Sequence, residues 1–424
     1  MYATERGAGR TAIYAALALA DLYAGPLEQP AAAAEMYSRI LSEEPQEPGI
    51  LIEMSDRAET LGQYELAQEA LQQARALQPD NPAVLVPLAR IQDRLDNLDA
   101  AELEARRALN LLGGTDAMLR SDALVVLGDV ERKRGNINTA ADFYTQALEL
   151  MPTNIDAYLG LGQVAIAQDN WSAALNQFER AASQPDSSTH APAHFWLAEA
   201  LLRQNNLGRA MQEYELALAL RENRPFPEAW LGVAQTYLYM GNAAAAEEAV
   251  DRALEQRSTY ADAWFFRARL LQAQGELDAA YDAYNRAIEG NRRFAAAYYQ
   301  RGLIAMSRND YGQAQNDLER ATLLEPQNAE AFYWLGRANL ALERTQPALL
   351  NFERSVTLSG GNLAVARLYQ GIAEERLGRT TEAEASYETV IQTSRDPLVA
   401  DRARTELERF RQDIEMGAPV EFEQ

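Results

Sequence analysis

The sequence predicts an all-α solenoid of stacked helix pairs, on three observations. A pattern of small and apolar residues recurs about every 34 residues along the 424-residue chain. Within each unit, two segments carry apolar residues at spacings of three and four, the period of one buried helical face. Glycine and proline mark the joins, where a left-handed backbone or a missing N–H stops a helix.

Ser121–Asn154 displays the unit in full. Its first helix places Leu124, Leu127 and Gly128 on one face and stops at Gly135-Asn136. Its second places Ala140, Tyr144, Ala147 and Leu148 at helical spacing, and Pro152 forbids continuation. Gly128 and Ala140 let the two axes approach, while Tyr144 fills the space beside them. This pattern resembles the tetratricopeptide repeat, a 34-residue helix–turn–helix. Leu124, Leu127, Gly128, Gly135, Ala140, Tyr144, Ala147 and Pro152 match its signature positions, and Glu131 stands where an aromatic is usual.

The units follow in order. A degenerate first repeat spans 11–47, with the alanine-rich run Thr11–Ala24 as its first helix and Ala33, Tyr37 and Ile40 in its second. With Arg6 and Arg10 ahead of it, that run faintly imitates a secretory signal, but register with the next repeat favours a helix. Regular repeats run over 48–397. Pro48–Pro79 has Leu51, Ser55, Gly62 and Ala67, and Asn81 to Gly113 has Leu88, Ala89, Ala101 and Ala105. Extra residues, Gly114 to Arg120, precede Ser121. Ile155–Ser188, Ala191–Arg224, Pro227–Tyr260, Ala261–Phe294, Ala295–Asn328, Ala329–Asn362 and Ala364–Pro397 continue the pattern. About eleven repeats in one solenoid over 1–415 result. Leu398–Glu415 reads as a capping helix, with Val399, Ala403, Leu407 and Phe410 inward, and 416–424 as a flexible tail.

A net charge of −23 argues against nucleic acid, whose phosphates demand basic residues, and against anionic membrane surfaces. No run is long and apolar enough to predict insertion into a bilayer. Cysteine is absent, which removes disulfide, thiolate and cysteine–zinc chemistry. Lys133 is the only lysine beside many arginines, a bias that base composition explains without function.

No motif argues for catalysis, and neither cofactor nor metal is predicted. Gly160 to Ala165 fits the dinucleotide fingerprint G-x-G-x-x-A, but both glycines fall inside a predicted helix instead of a strand–helix turn. His190 and His194 have metal-ligand spacing, with Asp186 in reach by sequence. Pro192 and Ser187-Ser188 instead suggest a helix start, with the two histidines as a solvent-exposed pair. The many Asp and Glu residues read as solvated helix faces.

The resemblance implies a right-handed superhelix whose first helices line a concave groove that binds a peptide segment or partner protein. In that family the second, fifth, sixth, ninth and twelfth or thirteenth residues of each repeat line the groove. Applied here, these give Phe195, Trp196, Glu199, Leu231, Gln235, Tyr239, Phe265, Phe266, Arg269, Tyr299, Gln300, Tyr333, Trp334 and Arg337. Trp196, Phe266 and Trp334 stand at the sixth position, where a small polar residue is usual, while Gly160 and Gly232 hold it in other repeats. Each large ring either fills the gap left by a neighbour's glycine or anchors a ligand, with Arg269 and Arg337 orienting its carboxylates. The lysine–asparagine arrangement by which chaperone-binding relatives hold a C-terminal carboxylate is missing. The expectation is an interaction scaffold or assembly factor in the cytoplasm, unless a signal or anchor ahead of Met1 has been lost. Its rivals are a self-assembling solenoid, with Thr11–Ala24 meeting a second copy, and a small-ligand binder or enzyme using groove carboxylates.

Overall fold

A computed structural model describes residues 13–23, 29–42, 45–185, 190–221 and 225–416. Among them the chain forms 23 helices and no strand. Helix α1 covers 13–23, followed by α2 (Pro30–Ser42), α3 (Pro48–Thr60), α4 (Tyr64–Leu77), α5 (Pro82–Arg94), α6 (Leu98–Leu112), α7 (Ala117–Lys133) and α8 (Ile137–Leu150). Then come α9 (Ile155–Ala167), α10 (Trp171–Ala182), α11 (Ala191–Arg203), α12 (Leu207–Ala219), α13 (Pro227–Tyr239) and α14 (Ala243–Gln256). The remainder is α15 (Ala261–Gln274), α16 (Leu277–Gly290), α17 (Ala295–Ser307), α18 (Tyr311–Leu324), α19 (Ala329–Ala341), α20 (Thr345–Leu358), α21 (Ala364–Arg376), α22 (Thr380–Thr393) and α23 (Pro397–Glu415). The chain divides into two compact units, Met1–Ala249 and Val250–Gln424. Thr11, Ala24, Arg6, Arg10, the Asp186–Ser188 stretch and tail residues 417–424 lie outside the described residues.

Odd-numbered helices from α3 onward open each pair and even-numbered ones close it. The turn inside each pair needs one residue with positive φ. Glycine supplies it at Gly62, Gly135, Gly241, Gly275 and Gly378. Asp96, Asp169, Asn205 and Asn309 do so elsewhere, as short side chains that bond locally tolerate this region, and Glu343 does so without that help. At the end of α7 the N–H of Gly135 bonds the carbonyl of Arg132 and that of Asn136 the carbonyl of Glu131, closing the helix.

One element differs from expectation. The extra residues before Ser121 are partly helical, because α7 begins at Ala117. Asp116, at φ 50°, caps it by accepting the Leu119 N–H at 3.0 Å.

Several closing helices insert a large ring against the glycine of an adjacent opening helix, whereas α6 has Ala105 and α14 Val250 at the same position. Tyr144 lies between Gly128 and Gly160, where a Cβ on either glycine would stand well inside 3.0 Å of the ring. Phe178 lies against Gly162, Tyr214 against Gly232, Phe352 against Gly336 and Tyr387 against Gly371. Ala140 and its counterparts Ala101, Ala174, Ala210, Ala280, Ala314, Ala348 and Ala383 are fully buried, which allows the close approach. In the second unit α23 covers α22 with Ala400, Ala403, Leu407 and Phe410; Val399 is only half-buried. In the first unit α1 buries Leu17 and Ala20 and leaves Leu19 and Leu22 exposed.

Candidate functional site

The opening helices of the first unit place Phe195, Trp196 and Glu199 on α11. Phe195 is half-buried among Phe226 (5.1 Å between ring centres), Trp196 (5.3 Å) and Tyr214 (6.1 Å). Trp196 stacks on Phe178 at 5.9 Å. The Tyr214 hydroxyl donates to Glu199 at 2.5 Å, and burial raises the Glu199 carboxyl above its ordinary range despite that bond. On α13 Leu231 is buried, Gln235 half-buried and Tyr239 68 % exposed, with Leu238 and Met240 exposed beside it.

In the second unit, Phe265 packs on Phe294 at 4.8 Å and Tyr284 at 5.6 Å, and Phe266 is 6 % exposed. Arg269 is exposed and Gln300 half-buried. Tyr299 donates to Glu330 at 3.2 Å, and burial followed by that carboxylate holds the phenol protonated. Tyr333 is buried between Tyr369 (5.8 Å) and Phe352 (6.2 Å), with Trp334 edge-on at 5.2 Å. Arg337 donates to the Tyr333 hydroxyl at 2.9 Å and lies 4.3 Å from the Tyr369 ring centre.

These positions correct the gap-filling reading of the sixth-position rings. The glycines at Gly160 and Gly232 are occupied by Tyr144 and Tyr214 of the preceding closing helices, not by a neighbouring Trp or Phe. Where Trp196 and Trp334 replace glycine, Trp196 lies over Phe178, and Trp334 packs against the buried cluster that holds Ala314, Leu318 and Leu335. Gly160 and Gly162 both lie within α9, so no phosphate-binding turn forms. The histidines are not a solvent-exposed pair. His194 is buried with Nδ1 2.7 Å from Glu213, whereas His190 precedes α11 and meets Asp156 at 3.2 Å. Among the described residues no cluster of three His, Asp or Glu is arranged to hold a metal.

Sequence reasoning missed a charged stretch on the opening helices of the first unit. Arg90 pairs with Glu59 at 2.8 Å and Asp56 at 3.4 Å. Asp129 accepts from Tyr144 at 2.8 Å and pairs with Arg132 at 3.1 Å. Lys133 reaches back to α5, with Nζ 2.9 Å from an Asp93 carboxylate oxygen and 2.5 Å from the Asp93 carbonyl oxygen. Burial raises the Asp93 carboxyl, opposed by its bond from Lys133. Counting α5 from Pro82, these groups fall at ninth, twelfth and thirteenth positions of their repeats, so the register already held the signal.

The sole lysine therefore has a structural role. Lys133→Met is expected to cost about 2 kcal/mol at neutral pH, below the usual 3–5 kcal/mol because Lys133 keeps some water. Asp93 already has a raised folded pKa, and loss of the cation raises it further. A raised carboxyl favours the folded state below that pKa and loses this contribution as pH rises through it. The deficit relative to the unsubstituted chain should thus shrink toward acid and widen toward neutrality. Urea midpoints on both sides of the carboxylate range test this, and equal deficits would refute it.

Sequence models of the tetratricopeptide repeat match residues 52–116, 131–188, 191–224, 231–297 and 299–362. Among solved structures, the chain is similar to the APC/C hetero-tetramer Cut9-Hcn1, with 14% identity and TM-score 0.40, over 92% of this chain and 94% of that one. It is similar to pilF of Pseudomonas aeruginosa at 16% identity and TM-score 0.40, over 52% of this chain and 97% of that one. A tetratricopeptide repeat protein from Parabacteroides merdae matches at 21% identity and TM-score 0.42, over 61% of this chain and 99% of that one.

Proposed function

Because the chain belongs to the tetratricopeptide repeat family and is a protein-interaction scaffold in that general sense, we propose that its opening-helix face binds a segment of a partner protein. The observation that carries this reading is the exposure of Tyr239 beside Leu238 and Met240 at the end of α13. An exposed phenol ring with apolar neighbours offers a large, low-entropy contact, the character of an interface anchor. The other aromatic residues read from the register are half-buried or buried, so they support this face more than they project from it. A cytoplasmic location belongs to the same proposal; among the described residues no helix is long and apolar enough to cross a membrane.

A partner isolated by cross-linking from the native host should lose about tenfold or more in affinity on Tyr239→Ala, the effect of removing an aromatic anchor. Leu323→Ala, at a 70 % exposed position on closing helix α18, is the control and should leave affinity unchanged. Both sites face water, so neither change should disturb folding. Unchanged binding by Tyr239→Ala, or a loss confined to Leu323→Ala, would remove the opening-helix face as the site.

A further inference from the structure

At the end of the second unit, the opening-helix face contains a cavity of about 410 Å³ among α19, α21 and α23. Its lining includes Tyr369, Arg376, Arg402 and Arg409, with Glu375 and Glu406. Arginine predominates here, in a chain whose net charge is −23.

The cavity's own carboxylates are already engaged. Glu375 accepts from the Tyr387 hydroxyl at 2.8 Å and from Arg409 at 2.7 Å. Glu406 accepts from Arg409 at 3.2 Å, so Arg409 is the cation that both acids serve. Arg402 stands 3.9 Å from Glu406, beyond hydrogen-bond length, and 5.2 Å from the Tyr369 ring centre. Among the described residues, neither Arg376 nor Arg337 forms an ion pair within 4.0 Å. Arg337 lies 4.3 Å from the same Tyr369 ring. The ring thus lies beside two guanidinium groups; Arg337 commits an N–H to the Tyr333 hydroxyl, whereas the N–H groups of Arg402 are left for an acceptor.

We propose that this cleft receives an extended acidic segment of a partner protein, whose side-chain carboxylates pair with Arg376 and Arg402. Planar guanidinium forks match carboxylates in two parallel bonds, and guanidinium is the more weakly hydrated basic group, so it loses less on desolvation. The cavity volume suits a few side chains instead of a folded domain. Ile372 gives the segment's carbon chains an apolar contact, and the Tyr369 ring beside it is flanked by Arg337 and Arg402. This inference rests on the opening-helix face being the binding face, and it adds the chemistry of the ligand.

Fluorescence anisotropy with a fluorescein-labelled, C-terminally amidated peptide of alternating glutamate and leucine tests it on the full chain. Amidation removes the terminal carboxylate, so binding reports side-chain carboxylates. The peptide should bind, more weakly as salt is raised, while a lysine–leucine peptide of equal length should not. Arg376→Gln with Arg402→Gln should weaken it at least about tenfold, the size seen on removing charged partners. The double lysine replacement should retain part of the affinity, and Arg286→Gln on the exposed face of α16 should retain all of it. All three arginines are exposed, and circular dichroism would confirm that the variants fold. Equal binding by the double glutamine variant, or full displacement of the peptide by inorganic phosphate at matched ionic strength, would overturn the proposal. If the Tyr239→Ala result holds while these peptide results fail, the acidic ligand alone is lost and the partner-binding face stands.

Discussion

Arg301→Met is expected to lower the unfolding free energy of the second unit by about 3–5 kcal/mol, the cost of leaving a buried charge without its partner. Arg301 is 15 % exposed at its side chain and Asp317 is 3 % exposed. Their contact is a fork on a carboxylate, with Nε to Oδ2 at 2.8 Å and Nη2 to Oδ1 at 2.5 Å. Nη1 also donates to Asn285 at 2.6 Å, and Gln313 donates to Asp317 at 3.0 Å, so each polar edge is met. Methionine conserves much of the stem but no cation, so Asp317 must either stay charged without a partner or take up a proton. The paired replacement Arg301→Met with Asp317→Leu should recover most of the loss, because a matched apolar pair leaves no orphan charge. Urea unfolding followed by circular dichroism, with hydrogen exchange to place the loss in α17 and α18, measures both. A single variant within about 1 kcal/mol of the unsubstituted chain would show that the site rearranges freely.

Tyr144→Ala should cost the first unit about 3–5 kcal/mol, the range for deleting a buried aromatic side chain. The ring is fully buried, and its hydroxyl donates to Asp129 at 2.8 Å. Adding a methyl group opposite it tests the same contact from the other side. Gly160→Ala gains helix propensity but drives a Cβ into the ring, for a net cost of about 1–3 kcal/mol. In a Tyr144→Leu background the alanine should cost less, because the smaller side chain vacates part of the slot. Strict additivity of the two changes would show that Gly160 and Tyr144 do not share the space described.

The helices were legible because their apolar spacing is local. The turns were legible only where glycine filled them: Asp169, Asn205 and Glu343 take the same positive φ, and no residue-type rule marks glutamate as a turn former. Helix α7 escaped at its start because Gly113-Gly114 drew the break ahead of Ala117, while the Asp116 cap lay in between. The candidate site was less legible, for a different reason. The register names which residues belong to the opening-helix face, but exposure depends on a side chain elsewhere in the repeat pair. Trp196 lies over Phe178, whereas Tyr239 stays 68 % exposed. Nor does the sequence say that Lys133 belongs to Asp93, forty residues earlier.

The aromatic slots also bear on how such a gene can change length. Recombination between similar coding stretches adds or removes whole units, and an in-frame loss of Ile155–His190 would rejoin α8 directly to α11. Tyr144, tied by its hydroxyl to Asp129, would then meet the Trp196 indole in place of the bare backbone of Gly160. Tyr144 is matched to the Gly160 that follows it and Tyr214 to Gly232, so these neighbouring units are inherited as fitted partners. Copy number is thereby constrained by side-chain volume as well as by reading frame.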